Sequence, residues 1–170
     1  PLVYASSGAT DGSPPQGDER VPFPVEAAGS PNNVYGFSKW LMDAEVFRLF
    51  REREEAGTAL PHVVGLRYFN VFGPGEARKG KMASMAYHLT QQMLRGDRPR
   101  IFKHGEHARD QVFVKDVVAC TLAAAGLGSK PEPTPGVYNT GSGQTTTFNQ
   151  IVEPVNEALG TSAAPAPHHT

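Results

Sequence analysis

The chain has one cysteine, Cys120, and one tryptophan, Trp40, in 170 residues. A single thiol excludes an internal disulfide and suits a reducing compartment. Within the apolar run from Val117 to Leu122, Cys120 reads as a small core residue rather than a nucleophile. Neither sign of charge dominates. Sixteen basic and 17 acidic side chains leave a formal charge of -1, so no global field points to nucleic acid as a partner. There is no signal peptide and no apolar run long enough for a bilayer, and the expectation is a soluble, cytoplasmic protein with no membrane partner. An initiator methionine is also missing, and the chain opens directly in an apolar run at Pro1. It closes on a low-complexity stretch in which His168 and His169 read as tail residues, and no metal site is expected. These ends read as those of a piece of a longer protein, with residues 161–170 a disordered tail.

What is present is enough for one core of ordinary domain size, since 39% of the residues are hydrophobic. Pro1 to Ser7 reads as a buried strand opening into a loop. Asp11 to Pro31, rich in glycine, proline and acids, reads as a surface loop. Asn32 and Asn33 offer an N-cap for a helix to about Arg53, with Leu41, Ala44, Val46, Phe47 and Phe50 toward the core and Gly57 as its stop. His62 to Asn70 reads as a second apolar strand. Strand, loop, helix and strand make a βαβ unit, whose ligands sit at the carboxyl ends of the strands, where Ser7 and Asn70 fall.

Beyond it, residues 72–80 read as a loop bounded by glycine and proline, followed by a helix from about Ala83 to Leu94. Arg100–Phe102 and Gln111–Val114 read as short strands flanking a polar turn. Asp116 is placed to cap a helix from Val117 to about Ala125, Pro131–Pro135 is a linker, and Gly136–Thr140 is a strand. The Gly141-Ser142-Gly143 turn lacks the GxxxxGK sequel of a phosphate loop and reads as a tight connection. A last helix follows Thr147, with Pro154 early in it or ending it. Arg95, Arg98, Arg100 and Lys103 form a basic cluster that is either a solvated loop or a phosphate-facing edge.

The chemistry-bearing pattern is Tyr35 and Lys39 on one helix, preceded by Ser6 and Ser7 at a strand end. Residues four apart share a helix face. An ammonium beside a phenol favours the phenolate, and a nearby hydroxyl can hold a substrate oxygen while the tyrosine exchanges its proton. This is apparatus for moving a proton on or off an alcohol while a cofactor takes a hydride. Alone, a tyrosine and lysine at this spacing are common on exposed helix faces. The strand, the serines and the following strand give the pair its meaning.

With Ala5-Ser6-Ser7 and the run Leu66-Arg67-Tyr68-Phe69-Asn70-Val71-Phe72-Gly73-Pro74, the pair resembles the extended short-chain dehydrogenase/reductase superfamily, in particular its sugar-nucleotide epimerases and dehydratases. The stretch Arg78 to Leu89 and the stretch Arg109 to Val117 are similar to the ADP-L-glycero-D-manno-heptose 6-epimerase family, which makes a heptose nucleotide for the lipopolysaccharide core. The resemblance covers Pro1 to about Gly160. It implies an α/β fold: the C-terminal part of a Rossmann-type doubly wound parallel sheet, with elements of a smaller substrate-binding domain. It implies residues 1–160 as a partial NAD(P)-dependent epimerase domain, NADP as cofactor with NAD possible, a nucleotide-sugar substrate, and a homo-oligomer in the full-length protein.

The same resemblance implies roles at matched positions. Tyr35 is one acid/base and Lys79 the second, with Ser7 on the reacting sugar oxygen. Lys39, Val71 and Lys79 meet the cofactor. Asn70, Lys81, His88, Phe102 and Arg109 line the substrate side, and a guanidinium fork such as that of Arg109 suits a diphosphate. Two departures stand out: Asp11 occupies the place of an aromatic residue, and Lys81 that of a small residue. The family's glycine-rich first turn is not in these residues, so the segment by itself is expected to be inactive and to bind NADP poorly. The alternatives are a UDP-hexose 4-epimerase, a 4,6-dehydratase, or a non-catalytic binder of NAD(P) or sugar nucleotide.

Overall fold

A computed structural model of the chain describes residues 1–12, 25, 28–102, 104–128 and 133–168. The chain divides into two compact units, Pro1–Phe69 with Lys115–Gly141 and Asn70–Val114 with Ser142–Thr170.

The first unit is built on three parallel strands. β1 (Leu2–Ser7) pairs with β2 (Val63–Tyr68), which pairs with β6 (Gly136–Thr140). Helix α1 (Val34–Glu55) makes the crossover from β1 to β2. Its N-cap is Asn33, whose side chain accepts from the Gly36 N–H at 2.8 Å, so one of the otherwise unpaired first-turn amides is satisfied. Helix α3 (Val114–Ala124) precedes β6.

Side chains alternate along β2, and this sorts the two helices onto opposite faces. Val63 packs with Val46 and Phe50 of α1, and Arg67 meets Asp43 of the same helix. Val64 and Leu66 pack with Ala124 of α3, and the Tyr68 hydroxyl bonds Thr121 at 2.8 Å. Both faces of β2 are covered, which explains why its sequence is apolar almost throughout rather than alternating.

The second unit has β3 (Asn70–Phe72) parallel to β5 (Ala108–Phe113), β5 antiparallel to β7 (Thr145–Thr147), and a separate pair of β4 (Arg100–Phe102) with β8 (Ala166–His168). Leu89 and Met93 of α2 (Met85–Leu94), Ile101 of β4, and Ile151 and Val152 of α4 (Phe148–Leu159) form its core.

Several expectations need correction. Leu41 and Phe47 are exposed, whereas the buried stripe of α1 runs through Gly36, Asp43, Val46 and Phe50. The helix carries apolar residues on more than one face, and the ion pair of Asp43 with Arg67 selects the one turned inward. Cys120 is exposed on α3, not in the core. Asp116 lies in the first turn of α3, which begins at Val114, rather than capping it. The second strand stops at Tyr68, and Asn70 opens a strand of another sheet. Within and just past the loop expected over residues 72–80, Glu76–Met82 form 3-10 turns kinked at Gly80, whose φ of 54° suits glycine. Pro154 sits inside α4; it and Gln150, whose carbonyl loses its i+4 donor, both face solvent. Within the stretch expected to be disordered, Ala166–His168 pair with the edge of β4, and Arg98 donates to the Ala164 and Pro165 carbonyls. Most of the expected surface loop before α1, parts of the Pro131–Pro135 linker, Lys103 and His169 lie outside the described residues, as do the side chains of Phe102 and His168.

Candidate active site

In the first unit, the serine strand and the tyrosine helix meet closely. Ser7 ends β1, and its Oγ accepts from the Ala9 N–H at 3.2 Å, capping the 3-10 turn Gly8–Thr10. Thr10 donates back to the Ser7 carbonyl at 2.9 Å, which locks the turn. The first turn of α1 packs directly on it: a Cβ added at Gly36 would lie 2.4 Å from the Ala9 carbonyl oxygen. Only glycine permits that approach, and it stands beside Tyr35. Lys39 Nζ donates to the Ala5 carbonyl at 2.9 Å and sits 5.8 Å from the centroid of the Tyr35 ring. Tyr35 is exposed, so its hydroxyl is open to a ligand. An ammonium has three donors, and among the described residues the bond to Ala5 uses one of those on Lys39. The exposed phenol and the lysine donors suit the hydroxyl groups of a bound ligand.

Beneath this edge lies a buried polar network that the motifs did not announce. Asp43 accepts from Tyr4 Oη at 2.8 Å, Ser6 Oγ at 3.0 Å and Arg67 Nε at 2.8 Å. Arg67 Nη1 also donates to the Val25 carbonyl at 2.9 Å and lies 3.7 Å from Asp11 Oδ1. The network therefore ties β1, α1, β2 and the serine turn together. Its one signal in the sequence is Arg67, a lone charge in an apolar strand, which demands a partner without naming it. Burial and the hydrogen bond to Asp43 hold the Tyr4 phenol far above its ordinary pKa, so it is not an acid/base. Burial also raises the Asp11 carboxyl, against the opposing pull of Arg67. Its Oδ2 is buried without a hydrogen-bond partner among the described residues.

The other expected site residues belong to the second unit. Asn70 opens β3 and donates from Nδ2 to the Asp110 carbonyl at 3.3 Å, and Val71 follows it, half-buried. Lys79 and Lys81 are exposed on the 3-10 segment, either side of the Gly80 kink. His88 is half-buried on α2, with its ring 5.9 Å from that of Tyr87. Arg109 is exposed on β5, and its Nη1 donates to the adjacent Ala108 carbonyl at 2.8 Å. The described structure of Phe102 is limited to its place in β4.

One anion-binding reading is answered by a neighbouring group, and a second for two of its four residues. The amides of Ser142 and Gly143 donate to the Asp110 carboxylate at 2.7 and 2.9 Å, so that turn is already occupied by an anion. Arg95 pairs with Asp97, and Arg98 is engaged by the tail carbonyls. Among the described residues, no three histidine, cysteine, aspartate or glutamate side chains converge on a metal position. No described helix is long and apolar enough to cross a membrane.

The sequence pattern of the NAD dependent epimerase/dehydratase family matches residues 1–141. Among solved structures, the chain is similar to the ADP-L-glycero-D-manno-heptose-6-epimerase of Helicobacter pylori, with 35% identity and a TM-score of 0.79 over 99% of this chain and 49% of that one. The UDP-glucose 4-epimerase of Thermotoga maritima, solved with UDP-glucose, gives 30% identity and a TM-score of 0.75, covering 98% and 49% of the two chains. The UDP-N-acetylglucosamine 4-epimerase of Methanobrevibacter ruminantium gives 25% and 0.78, over 98% and 49%. The chain thus spans about half the length of the solved relatives it matches.

Proposed function

Since the chain belongs to the NAD dependent epimerase/dehydratase family, we propose that it carries the proton-transfer half of an epimerase acting on ADP-D-glycero-D-manno-heptose at C6, with NADP as cofactor. The observation that carries this reading is the fixed edge at the end of β1, where Ser7, Tyr35 and Lys39 are held by their own elements. The similarity to a heptose epimerase at 35% identity favours the ADP-heptose over other sugar nucleotides.

When bound, the nicotinamide dinucleotide accepts a hydride and returns it, so no net redox results. Ser7 donates a hydrogen bond to the reacting sugar oxygen. Tyr35 takes the hydroxyl proton as the carbinol becomes a ketone, and Lys39 keeps positive charge beside the ring while holding the ribose. The ketone then turns over. Lys79 delivers the proton to the oxygen when the other face is reduced, because inversion needs acid/base help from two directions. Arg109 grips the diphosphate, Asn70, Lys81, His88 and Phe102 line the sugar, and Val71 touches the cofactor.

In the full-length protein, incubation with ADP-heptose should give the C6 epimer, while UDP-galactose should be left unchanged. Tyr35→Phe should retain ligand binding and lose turnover by about 10²–10⁴-fold. Turnover of UDP-galactose alone would assign a hexose 4-epimerase instead. Tyr35→Phe at wild-type rate, or a protein that binds sugar nucleotide without ever turning it over, would remove the catalytic reading.

A further inference from the structure

The residue that stands out beyond the expected site is Glu76. It is an acid at 5% exposure on a short segment whose other charged residues all face water. A carboxylate at such burial needs its oxygens satisfied, and here both are. Oε1 accepts from the Gly73 N–H at 3.0 Å and the Ser84 hydroxyl at 2.9 Å. Oε2 accepts from the Ser84 N–H at 2.6 Å and lies 3.7 Å from Lys79 Nζ. Burial alone would raise this acid; the bonds from Ser84 and Gly73 and the Lys79 charge outweigh it and bring the carboxyl below its ordinary value. It is therefore an anion at neutral pH.

One side chain thereby joins three things. Gly73 is where the chain leaves β3, and Ser84 is the N-cap of α2, its Oγ accepting from the Tyr87 N–H at 3.1 Å. The carboxylate closes the excursion from Gly73 to Ser84 into a loop with fixed ends, and Lys79 sits on that loop. We infer that Glu76 is a positioning residue for Lys79: it shapes the loop from beneath and holds the ammonium by its charge. The inference rests on Lys79 being the second acid/base. Glu76 touches no reacting atom and takes no proton in the reaction.

The consequence is a split between binding and turnover. A lysine displaced by about an ångström still lets substrate bind but loses its line to the reacting oxygen. In the full-length protein, Glu76→Gln should lower kcat between about ten- and a hundredfold, with the nucleotide-sugar KM changed less than about twofold. Ser84→Ala removes the hydroxyl bond to Glu76 and the cap bond from the Tyr87 N–H but keeps the Lys79–Glu76 pair, so kcat should stay within about threefold of wild type even as the melting temperature falls. A merely structural role would lower kcat in both variants in step with their melting temperatures. Unchanged kcat in Glu76→Gln would overturn the inference.

Lys79→Met separates this from the underlying assignment. Turnover retained in that variant removes Lys79 as acid/base and the inference with it. Turnover lost in Lys79→Met but kept in Glu76→Gln removes only the positioning role. If Glu76→Gln does not fold, amine acylation of the wild-type protein decides. Paired Lys79 should be modified about threefold or more slowly than its neighbour Lys81, and equal or faster labelling would overturn the pairing.

Discussion

At the scale of single residues, Asp11 makes a pH-dependent prediction. Its carboxyl is raised above the ordinary value chiefly by burial, so the folded protein binds that proton more tightly than the unfolded chain. Stability therefore falls as pH rises from the ordinary carboxylate range through the raised folded value. Asp11→Asn removes the penalty. Its melting temperature relative to wild type should rise as pH goes from 4 to about 7, measured by thermal unfolding in steps of pH. A difference that shrinks over that interval would mean that Arg67 outweighs burial and that the aspartate is stabilising. Asp11 was legible as a departure from the family loop, but its neighbour Arg67, 56 positions away in the chain, was not. Asp43 was hidden for the same reason: in sequence it looks like any solvated helix acid, and only the paired strands show that Tyr4, Ser6 and Arg67 converge on it.

At the scale of elements, the contact between α1 and the serine turn is the joint on which the tyrosine depends. Gly36 lies against the Ala9 carbonyl, and a methyl group there would meet its oxygen at 2.4 Å and Pro31 Cβ at 3.0 Å. Gly36→Ala should cost about 1–3 kcal/mol as the helix is pushed off the turn. In the full-length protein the loss should appear in turnover as well as in melting temperature. Retention of both would mean that helix and turn are not in register as described. One cap was readable in advance, Asn33 at the start of α1, and so was the start of α4 after Thr147, whose hydroxyl accepts from a first-turn amide; the cap expected at Asp116 was not there. The inward face of α1 was readable only in part: Val46 and Phe50 are buried as expected, whereas Leu41 and Phe47 are exposed. Leu41 and Phe47 are as apolar as Val46 and Phe50, and periodicity alone cannot choose between two apolar stripes on one helix.

At the scale of the whole chain, each unit has its own hydrophobic clusters: Val46, Phe50, Val63 and Val137 in the first, and Leu89, Met93, Ile101, Ile151 and Val152 in the second. Leu89 is fully buried, so Leu89→Ala should destabilise the second unit by about 2–5 kcal/mol. Native-state hydrogen exchange should show amides of α2 and β4 losing protection, while those of β1 and β2 lose much less. Equal loss in both would mean that the chain opens as one cooperative body.

Local spacing alone carried the β1–α1–β2 order, the capped start of α1 at Asn33, and the tyrosine, lysine and serine that share one strand end. Whatever depends on partners distant along the chain was settled by folding. It set the face of α1 turned inward, the break after Tyr68 that sends Asn70 to another sheet, and the use of Asp110 to fill the Gly141–Gly143 turn. It also decided that Glu76, an ordinary loop acid in sequence, is buried beneath Lys79. The division has one cause. Backbone propensities and caps act over a few residues, whereas burying a charge is tolerable only where folding brings its counter-group to meet it.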